Sequence, residues 1–324
     1  MVLATDQFHA LLVGVGDYES SDFPNLPVTV FDAEAVAAVL LDPDYCGYPE
    51  ANMRTLLGEQ AHIEAIRTAL RNLARGSALA ETIIVYFSGH GGQAYIDEAW
   101  QAYLCPRGAN VSDLPGTAIS ATELSKALGA IAAKRLVVIL DMCFAGGAAE
   151  PKSRLLAGRW KTGWSDDEYD VLSRGSGRVI IASSKEDQVS YVRRQGDMSV
   201  FTYHLVQALR GGAAIRDDGL IRVLDTYSYV SDAVQGDEPS QEPVLKAHNL
   251  AGNFPLALAA RRPPAPEHPA PQPQRQPQHH ETPAAASGDR PLIGKIHGDG
   301  NTINVADRMT VRIDQGKTGS SGDK

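Results

Sequence analysis

Two apolar runs of strand length each end at a reactive side chain that glycines follow. One run, over residues 82–87, leads into Ser-Gly-His90-Gly-Gly, and the other, over 136–140, leads into Asp141-Met-Cys143-Phe-Ala-Gly-Gly. A deprotonated thiol is a strong nucleophile, and an imidazole can take its proton near neutral pH. Cys143 follows His90 by 53 residues, which is enough for one crossover to a neighbouring strand. The pattern predicts a cysteine hydrolase.

Each of the two side chains also has a simpler interpretation. A free cysteine is most often a buried structural residue, and a loop histidine often has no role. Their matched positions after two strands favour the catalytic interpretation. Glycines at such corners let a substrate approach the backbone, so the N–H groups of Gly91 and Cys143 are the candidate oxyanion donors.

The elements that must position this pair alternate along the chain. Strand-like and helix-like segments follow one another up to about residue 258, which indicates parallel βαβ units with helices on both faces. We therefore predict a three-layer α/β/α domain with a mainly parallel central sheet over residues 1–258. The predicted strands are 8–15, 53–57, 82–87, 101–105, 136–140, 178–182 and a late edge strand at 243–247. The predicted helices are 32–41, 63–73, 120–132, 199–210 and 220–234.

The remaining segments differ in composition. Residues 148–176 are rich in Gly, Ser and charged residues and are predicted to be a mobile loop without regular structure. Residues 259–290 are rich in Pro, Gln and Ala and are predicted to be a disordered linker. Residues 291–316 resemble a small β-hairpin that is too small to hold a core alone. This hairpin is a candidate to bind a protein partner, and the alternatives are that it docks on the main domain or stays loose. Residues 317–324 are predicted to be disordered.

Charge and cysteine content exclude several classes of protein. A net charge of −9 and a pI near 5.5 argue against binding to nucleic acid or to anionic membranes. Three cysteines without a Cys-x-x-Cys pair favour neither a disulfide framework nor a zinc site. Neither a signal peptide nor a membrane-spanning run is evident, so we expect a cytoplasmic protein. The lack of a glycine-rich phosphate loop argues against a nucleotide hydrolase.

The two motifs resemble those of the caspase-like (clan CD) cysteine peptidases, which comprise caspases, metacaspases and bacterial relatives. The resemblance covers about residues 8–258, and weaker support comes from the motifs at 12–18, 32–33 and 181–188. It implies a caspase-haemoglobinase-like fold and a cysteine endopeptidase with Cys143 and His90 as its catalytic pair. Metacaspases usually have His-Ser after the cysteine, where this chain has Phe144-Ala145, and this departure concerns the wall of the pocket.

Resemblance to metacaspases also implies the specificity. Asp141, two residues before the cysteine, and Asp32, in the loop after the first strand, match acidic positions that bind Arg or Lys of a protein substrate. Ser184 and Asp187 match the segment that lines the substrate groove. Asp32 could instead be a helix N-cap, and Asp141 could support the site without touching substrate.

Motifs of this sequence also bear on self-cleavage and on activation by calcium. The basic residues of the loop are candidates for self-cleavage, namely Arg154, Arg159, Lys161 and Arg174. No cofactor or metal site is expected, and calcium activation has no supporting motif. The resemblance implies a role in bacterial signalling, defence or cell death. Two alternatives are a catalytically weak scaffold that acts through its C-terminal tail, and another cysteine hydrolase on a flavodoxin-like sheet.

Overall fold

The computed structural model describes residues 5–142, 160–186, 188–214, 216, 218–250, 252–258, 297–298 and 301–302, with side chains for all except 5, 160–162 and the last two pairs. Its strands are β1 (Phe8–Gly14), β2 (Met53–Leu57), β3 (Thr82–Gly89), β4 (Gly91–Ile96), β5 (Ala99–Leu104), β6 (Ile119–Ser120), β7 (Arg135–Met142), β8 (Trp160–Thr162), β9 (Arg178–Ala182), β10 (Leu220–Arg222), β11 (Val244–His248), β12 (Pro255–Leu258), β13 (His297–Gly298) and β14 (Asn301–Thr302). Its α-helices are α1 (Val28–Leu41), α2 (Ile63–Gly76), α3 (Leu114–Thr117), α4 (Ala121–Gly129), α5 (Asp166–Ser173), α6 (Val200–Gln207) and α7 (Val223–Asp237). A π-helix, Ala208–Gly212, continues α6.

The central sheet carries the ends of the two motif strands. Among the described residues it has six strands in the order β2-β1-β3-β7-β9-β11. All neighbours pair in parallel except β11, which runs antiparallel at the edge beside β9. The predicted three-layer fold with a mainly parallel sheet, and its late edge strand, are confirmed.

Helices cover both faces of this sheet, as the burial of β3 shows. All eight residues of β3 are buried, and successive side chains point to opposite faces. Ile83 and Phe87 belong to the core that includes residues of α2, α4 and α5. Ile84 and Tyr86 belong to the core that includes residues of α1, α6 and α7. A strand buried on both faces has the continuous apolar sequence from which it was predicted.

A second sheet begins where β3 ends. It is antiparallel, in the order β6-β5-β4-β8. His90 is the single residue between β3 and β4, so it lies at the junction of the two sheets. The β4 strand was not predicted, because its leading Gly91-Gly92 pair is typical of a loop.

Regular structure also occupies part of the segment predicted to be a loop. The prediction for residues 148–176 is wrong over β8 and α5, whereas 148–159 lie outside the described residues. Ser165 and Glu168 form a reciprocal capping box at the start of α5. Trp164 is fully buried and its Nε1 donates to the carbonyl of Tyr103 at 3.2 Å, which fixes the entry to the helix.

Residues 220–234, which were predicted to be one helix, form a short strand and a helix. Leu220–Arg222 instead form β10, which pairs antiparallel with β12, and α7 begins only at Val223. Strand pairing with a distant segment overrides the helical pattern there.

The chain divides into two units, Met1–Glu267 and His268–Lys324. In the second, β13 and β14 pair antiparallel, in agreement with the predicted hairpin within 291–316. The predicted linker, 259–290, and the predicted disordered end, 317–324, lie outside the described residues. In the described part of the chain, no helix has the length and apolar character needed to cross a bilayer.

Candidate active site

Four strands of the central sheet, β1, β3, β7 and β9, run parallel and therefore end at the same edge. Gly89, the last residue of β3, lies opposite Met142, the last residue of β7. His90 follows the first directly and Cys143 follows the second. Cys143 itself lies outside the described residues. The structure thus brings the residue bonded to His90 and the residue bonded to Cys143 into register on neighbouring strands.

His90 is held as a neutral base. Its side chain is almost fully buried, and its Nε2 lies 2.8 Å from the carbonyl oxygen of Pro24. Because a carbonyl can only accept, Nε2 must carry the proton and Nδ1 the lone pair. Nδ1 is buried and has no hydrogen-bond partner among the described residues. Burial lowers the pKa of His90 from 6.5 to about 4, against the opposing effect of the Pro24 bond, so the ring is neutral at pH 7.

Two aromatic rings and a hydroxyl fix the orientation of this imidazole. The ring centroids of Tyr18 and Phe23 lie 4.7 and 5.6 Å from that of His90. The backbone N–H of His90 donates to the hydroxyl of Tyr18 at 2.7 Å. The backbone N–H of Tyr18 donates to the side chain of Asn25 at 2.9 Å, which closes the loop that carries Pro24. The loop after β1 therefore holds both the ring and the carbonyl that selects its tautomer.

Gly91 offers a backbone N–H beside the residue that precedes Cys143. Its partner in β5 is Leu104, and the bond from the N–H of Cys105 to the carbonyl of His90 makes this a non-hydrogen-bonded pair. The N–H of Gly91 therefore points away from β5. A Cβ atom at Gly91 would lie 2.4 Å from Sδ of Met142, so a side chain here would force Met142 to move. The position suits the predicted oxyanion donor.

Asp32 lies in the second turn of α1 and is fully buried. It is neither in the loop after β1 nor the N-cap of the helix, since α1 begins at Val28. Its Oδ1 accepts from the N–H of Ser199 at 2.8 Å, and its Oδ2 accepts from the hydroxyl of Ser88 at 3.1 Å. Burial and the negative charge of Asp141 hold the pKa of Asp32 well above its usual range.

Asp141, near the end of β7, is also fully buried. Its Oδ1 accepts from the hydroxyl of Ser190 at 2.9 Å, and its Oδ2 accepts from those of Thr202, at 2.7 Å, and Ser199. The structure therefore brings the two predicted acidic residues together, and Ser199 is bonded to both.

A family model for the caspase domain of peptidase family C14 matches residues 7–255. The chain belongs to this caspase-domain family. Protein GSU0716 from Geobacter sulfurreducens has a similar structure, with 18% identity and a TM-score of 0.55, over 78% of this chain and 99% of that one. Caspase-1 from Spodoptera frugiperda is similar at 15% identity and a TM-score of 0.51, over 80% of this chain and 92% of its own. No curated protein sequence matches the chain.

Membership in the caspase-domain family implies a cysteine peptidase that acts on protein substrates. The two solved structures are evidence for the fold alone, because they share only 18% and 15% sequence identity with this chain. The match covers the four strands that end at the edge described above, β1, β3, β7 and β9.

Other predicted residues of this caspase-domain site lie at the same edge or outside the described residues. Ser184 follows β9, is buried, and its hydroxyl donates to the carbonyl of Gln188 at 3.4 Å. Asp187 lies outside the described residues, and so does Phe144-Ala145, the pair at which this chain differs from the usual metacaspase motif. In the described residues, no cluster of His, Cys, Asp and Glu could hold a metal ion.

The four candidates for self-cleavage differ in their surroundings. Lys161 lies in β8, opposite Gln93 of β4. Arg174 is exposed and follows the last residue of α5. Arg154 and Arg159 lie outside the described residues.

Sequence reasoning missed the residues that hold these groups in place. Pro24 contributes a backbone carbonyl, which no residue type signals. Tyr18 stood in a supporting motif, but nothing in that motif indicated its contact with His90. Ser199 lies 167 residues after Asp32 in the chain, and an N-capping serine before a helix was its sole signal.

Proposed function

We propose that the protein is a cysteine endopeptidase with Cys143 as nucleophile and His90 as general base, and that it cuts after Arg or Lys. The pairing of Gly89 with Met142 carries this proposal, because these two residues are bonded to His90 and to Cys143 and lie side by side at one edge of the sheet. The buried Nδ1 of His90, without a partner among the described residues, is the atom that would receive the thiol proton.

The reaction follows from these positions. Nδ1 of His90 takes the proton of the Cys143 thiol, and the thiolate attacks the carbonyl carbon of the scissile peptide bond. The N–H groups of Gly91 and Cys143 hold the oxyanion. The protonated His90 then gives its proton to the leaving amine, the C–N bond breaks, and an acyl-enzyme remains. A water molecule, deprotonated by the same nitrogen, releases the new carboxylate and regenerates the thiol.

The bond from Nε2 of His90 to the Pro24 carbonyl keeps the ring in the tautomer that this sequence needs. It also offers a partial negative charge to the imidazolium that forms after proton transfer. A backbone carbonyl thus performs the orienting task that a carboxylate performs in other catalytic triads.

Asp32 and Asp141 support the preference for basic residues. Two buried carboxylates bonded to one serine concentrate negative charge behind the end of β7. An arginine or lysine side chain that reached them would form charge-assisted hydrogen bonds and relieve the repulsion that raises the pKa of Asp32. We place Ser184 and Asp187 in the wall of the same groove.

The wider role rests on family resemblance. We propose self-processing at a basic residue after β7, a cytoplasmic location, and action in a bacterial signalling, defence or cell-death pathway. In this proposal residues 291–316 bind a protein partner.

Substitution of the two aspartates tests the specificity. Asp32→Asn and Asp141→Asn keep the shape of each side chain and remove its charge. We expect each to lower kcat/KM for an Arg peptide by about tenfold to a hundredfold, because charge-assisted hydrogen bonds are lost. Asp225→Asn is the matched control, since Asp225 is a buried aspartate bonded to Asn253 instead. Unchanged cleavage of Arg peptides by the first two variants would refute the acidic pocket.

A covalent probe distinguishes the peptidase from a scaffold. An electrophilic peptide with Arg at the reactive end should label wild type, and labelling should disappear in Cys143→Ala. Failure to label wild type would favour the catalytically weak scaffold.

A further inference from the structure

We propose that Ser199 is a positioning residue that makes Asp32 and Asp141 act as one cation-binding unit, and that it thereby sets the affinity for a basic side chain. This inference rests on the proposed function and adds to it the residue that couples the two carboxylates.

The contacts of Ser199 join three elements of the fold. Its N–H donates to Oδ1 of Asp32 in α1 at 2.8 Å. Its hydroxyl donates to Oδ2 of Asp141 in β7 and accepts from the N–H of Thr202 at 2.8 Å, so Ser199 also caps α6. Ser199 is fully buried, so water does not compete for these bonds.

The neighbouring donors each serve one carboxylate. Ser88 bonds to Asp32, whereas Ser190 and Thr202 bond to Asp141. Loss of one of these groups would alter one carboxylate and leave the link between the two intact. Loss of the Ser199 hydroxyl would break the hydrogen-bonded connection between Asp32 and Asp141.

The position of Ser199 is fixed from both sides in the chain. A backbone bridge pairs Ser199 with Val192, and the N–H of Val200 donates to the carbonyl of Tyr191 at 2.9 Å. Ser190, at the start of the same turn, holds the other oxygen of Asp141. The carboxylate of Asp141 is thus held between the two ends of one tight segment.

The charges around the pair explain why a coupling residue matters. Burial, Asp141 and the more distant Asp197 all raise the pKa of Asp32, while the bonds from Ser199 and Ser88 lower it. Asp197 is itself paired with Arg193 at 2.8 Å. Beyond Thr202, the hydroxyl of Tyr86 lies 2.6 Å from the Thr202 hydroxyl. Hydrogen-bond donors stabilise the ionised pair, and the ionised pair is the form that attracts a cation.

The experiment compares full-length Ser199→Ala, Ser199→Gly and Ser199→Thr with wild type. Ser120→Ala is the matched control, because Ser120 caps α4 in the same way but contacts neither carboxylate. Steady-state cleavage of an Arg peptide gives kcat and KM across pH, and alkylation of Cys143 by iodoacetamide reports the nucleophile without a basic side chain. Glycine is tolerated at an N-cap, so Ser199→Gly remains informative if the alanine variant folds poorly.

We expect Ser199→Ala and Ser199→Gly to raise KM for the Arg peptide by about tenfold, with a much smaller change in kcat. The acid limb of kcat/KM should move to higher pH, because the charge of Asp141, which raises the pKa of Asp32, loses the hydroxyl that donates to it. Ser199→Thr should keep the wild-type KM and the wild-type acid limb. In all three variants the rate of Cys143 alkylation should equal that of wild type. The same KM and pH profile in Ser199→Ala, Ser199→Gly and Ser120→Ala would overturn the inference alone. A wild-type protein that cleaves no Arg or Lys peptide would overturn the proposed function and this inference with it.

Discussion

Nε2 of His90 lies 2.8 Å from the carbonyl oxygen of Pro24, and this contact decides which nitrogen of the neutral ring carries the proton. The opposite nitrogen, Nδ1, is left with its lone pair in a buried position. A neutral imidazole in that state can accept a thiol proton but cannot attract substrate by charge. In the proposed function that attraction comes from Asp32 and Asp141, the acidic pair behind β7.

The depressed pKa of His90 predicts a pH dependence of stability. The unfolded chain binds more protons than the folded one between pH 6.5 and about 4, so stability should fall as pH falls through this window. At about 1.4 kcal/mol for each pKa unit, the loss is about 3 kcal/mol. Urea unfolding of Cys143→Ala at pH 7 and pH 4.5 measures it.

In the same Cys143→Ala background, His90→Gln should remove this loss, whereas replacement of the exposed His62 by Gln should retain it. An equal pH dependence with and without His90 would show that the ring is not held neutral by burial.

Tyr18→Phe should impair both stability and turnover. Its hydroxyl accepts the backbone N–H of His90 at 2.7 Å, and removal leaves a buried donor unpaired at a cost of about 1–3 kcal/mol. We expect a lower kcat with little change in KM, because the ring that performs proton transfer is displaced. Tyr95→Phe, at an exposed position, is the control. Equal kcat in the two variants would argue against a role for Tyr18.

Gly91→Ala should lower kcat/KM by at least about tenfold, since overpacking next to a reactive residue displaces it. The added Cβ would lie 2.4 Å from Sδ of Met142, the residue bonded to Cys143. A Gly91→Ala, Met142→Ala double variant, in which the crowded side chain is shortened, should recover part of the lost kcat/KM. Gly76→Ala, where no atom lies within 4 Å of the new Cβ, should behave as wild type. Full activity of Gly91→Ala would exclude this crowding.

Self-processing should spare the bond after Lys161. A peptidase binds its substrate as an extended and accessible segment, whereas Lys161 is paired with Gln93 in the antiparallel ladder of β8 and β4. Comparison of intact masses of wild type and Cys143→Ala after expression locates any cut. Fragments that end at Lys161 would show that β8 detaches before processing.

The sequence predicted the strands of this fold well and the second sheet poorly. Buried strands such as β3 and β7 each contain a continuous run of apolar residues, and their ends were predicted within two residues. By contrast, β4 begins with two glycines and was overlooked. The acidic start of α5, Asp166–Glu168, suits the first turn of a helix, where carboxylates lie near the positive end of the helix dipole. Trp164 and Tyr169 fix that helix through tertiary contacts, which a local pattern does not contain.

Sequence motifs named the candidate site residues His90, Asp32 and Asp141, but they did not name the residues that hold these side chains in place. Pro24 acts through a carbonyl, and Ser199 acts through a fold that brings it to Asp32 across 167 positions. Such supports depend on distances in the folded chain, so they became evident only in the structure.

One panel of peptides tests whether the protein is a cysteine endopeptidase that selects a basic residue. The peptides differ only at the residue before the scissile bond, which is Arg, Lys, Gln or Asp. We expect wild type to cleave the Arg and Lys peptides with kcat/KM about a hundredfold above the Gln peptide, and Cys143→Ala and His90→Gln to cleave none of the four. Preferential cleavage after Asp, or cleavage that survives in Cys143→Ala, would contradict this expectation.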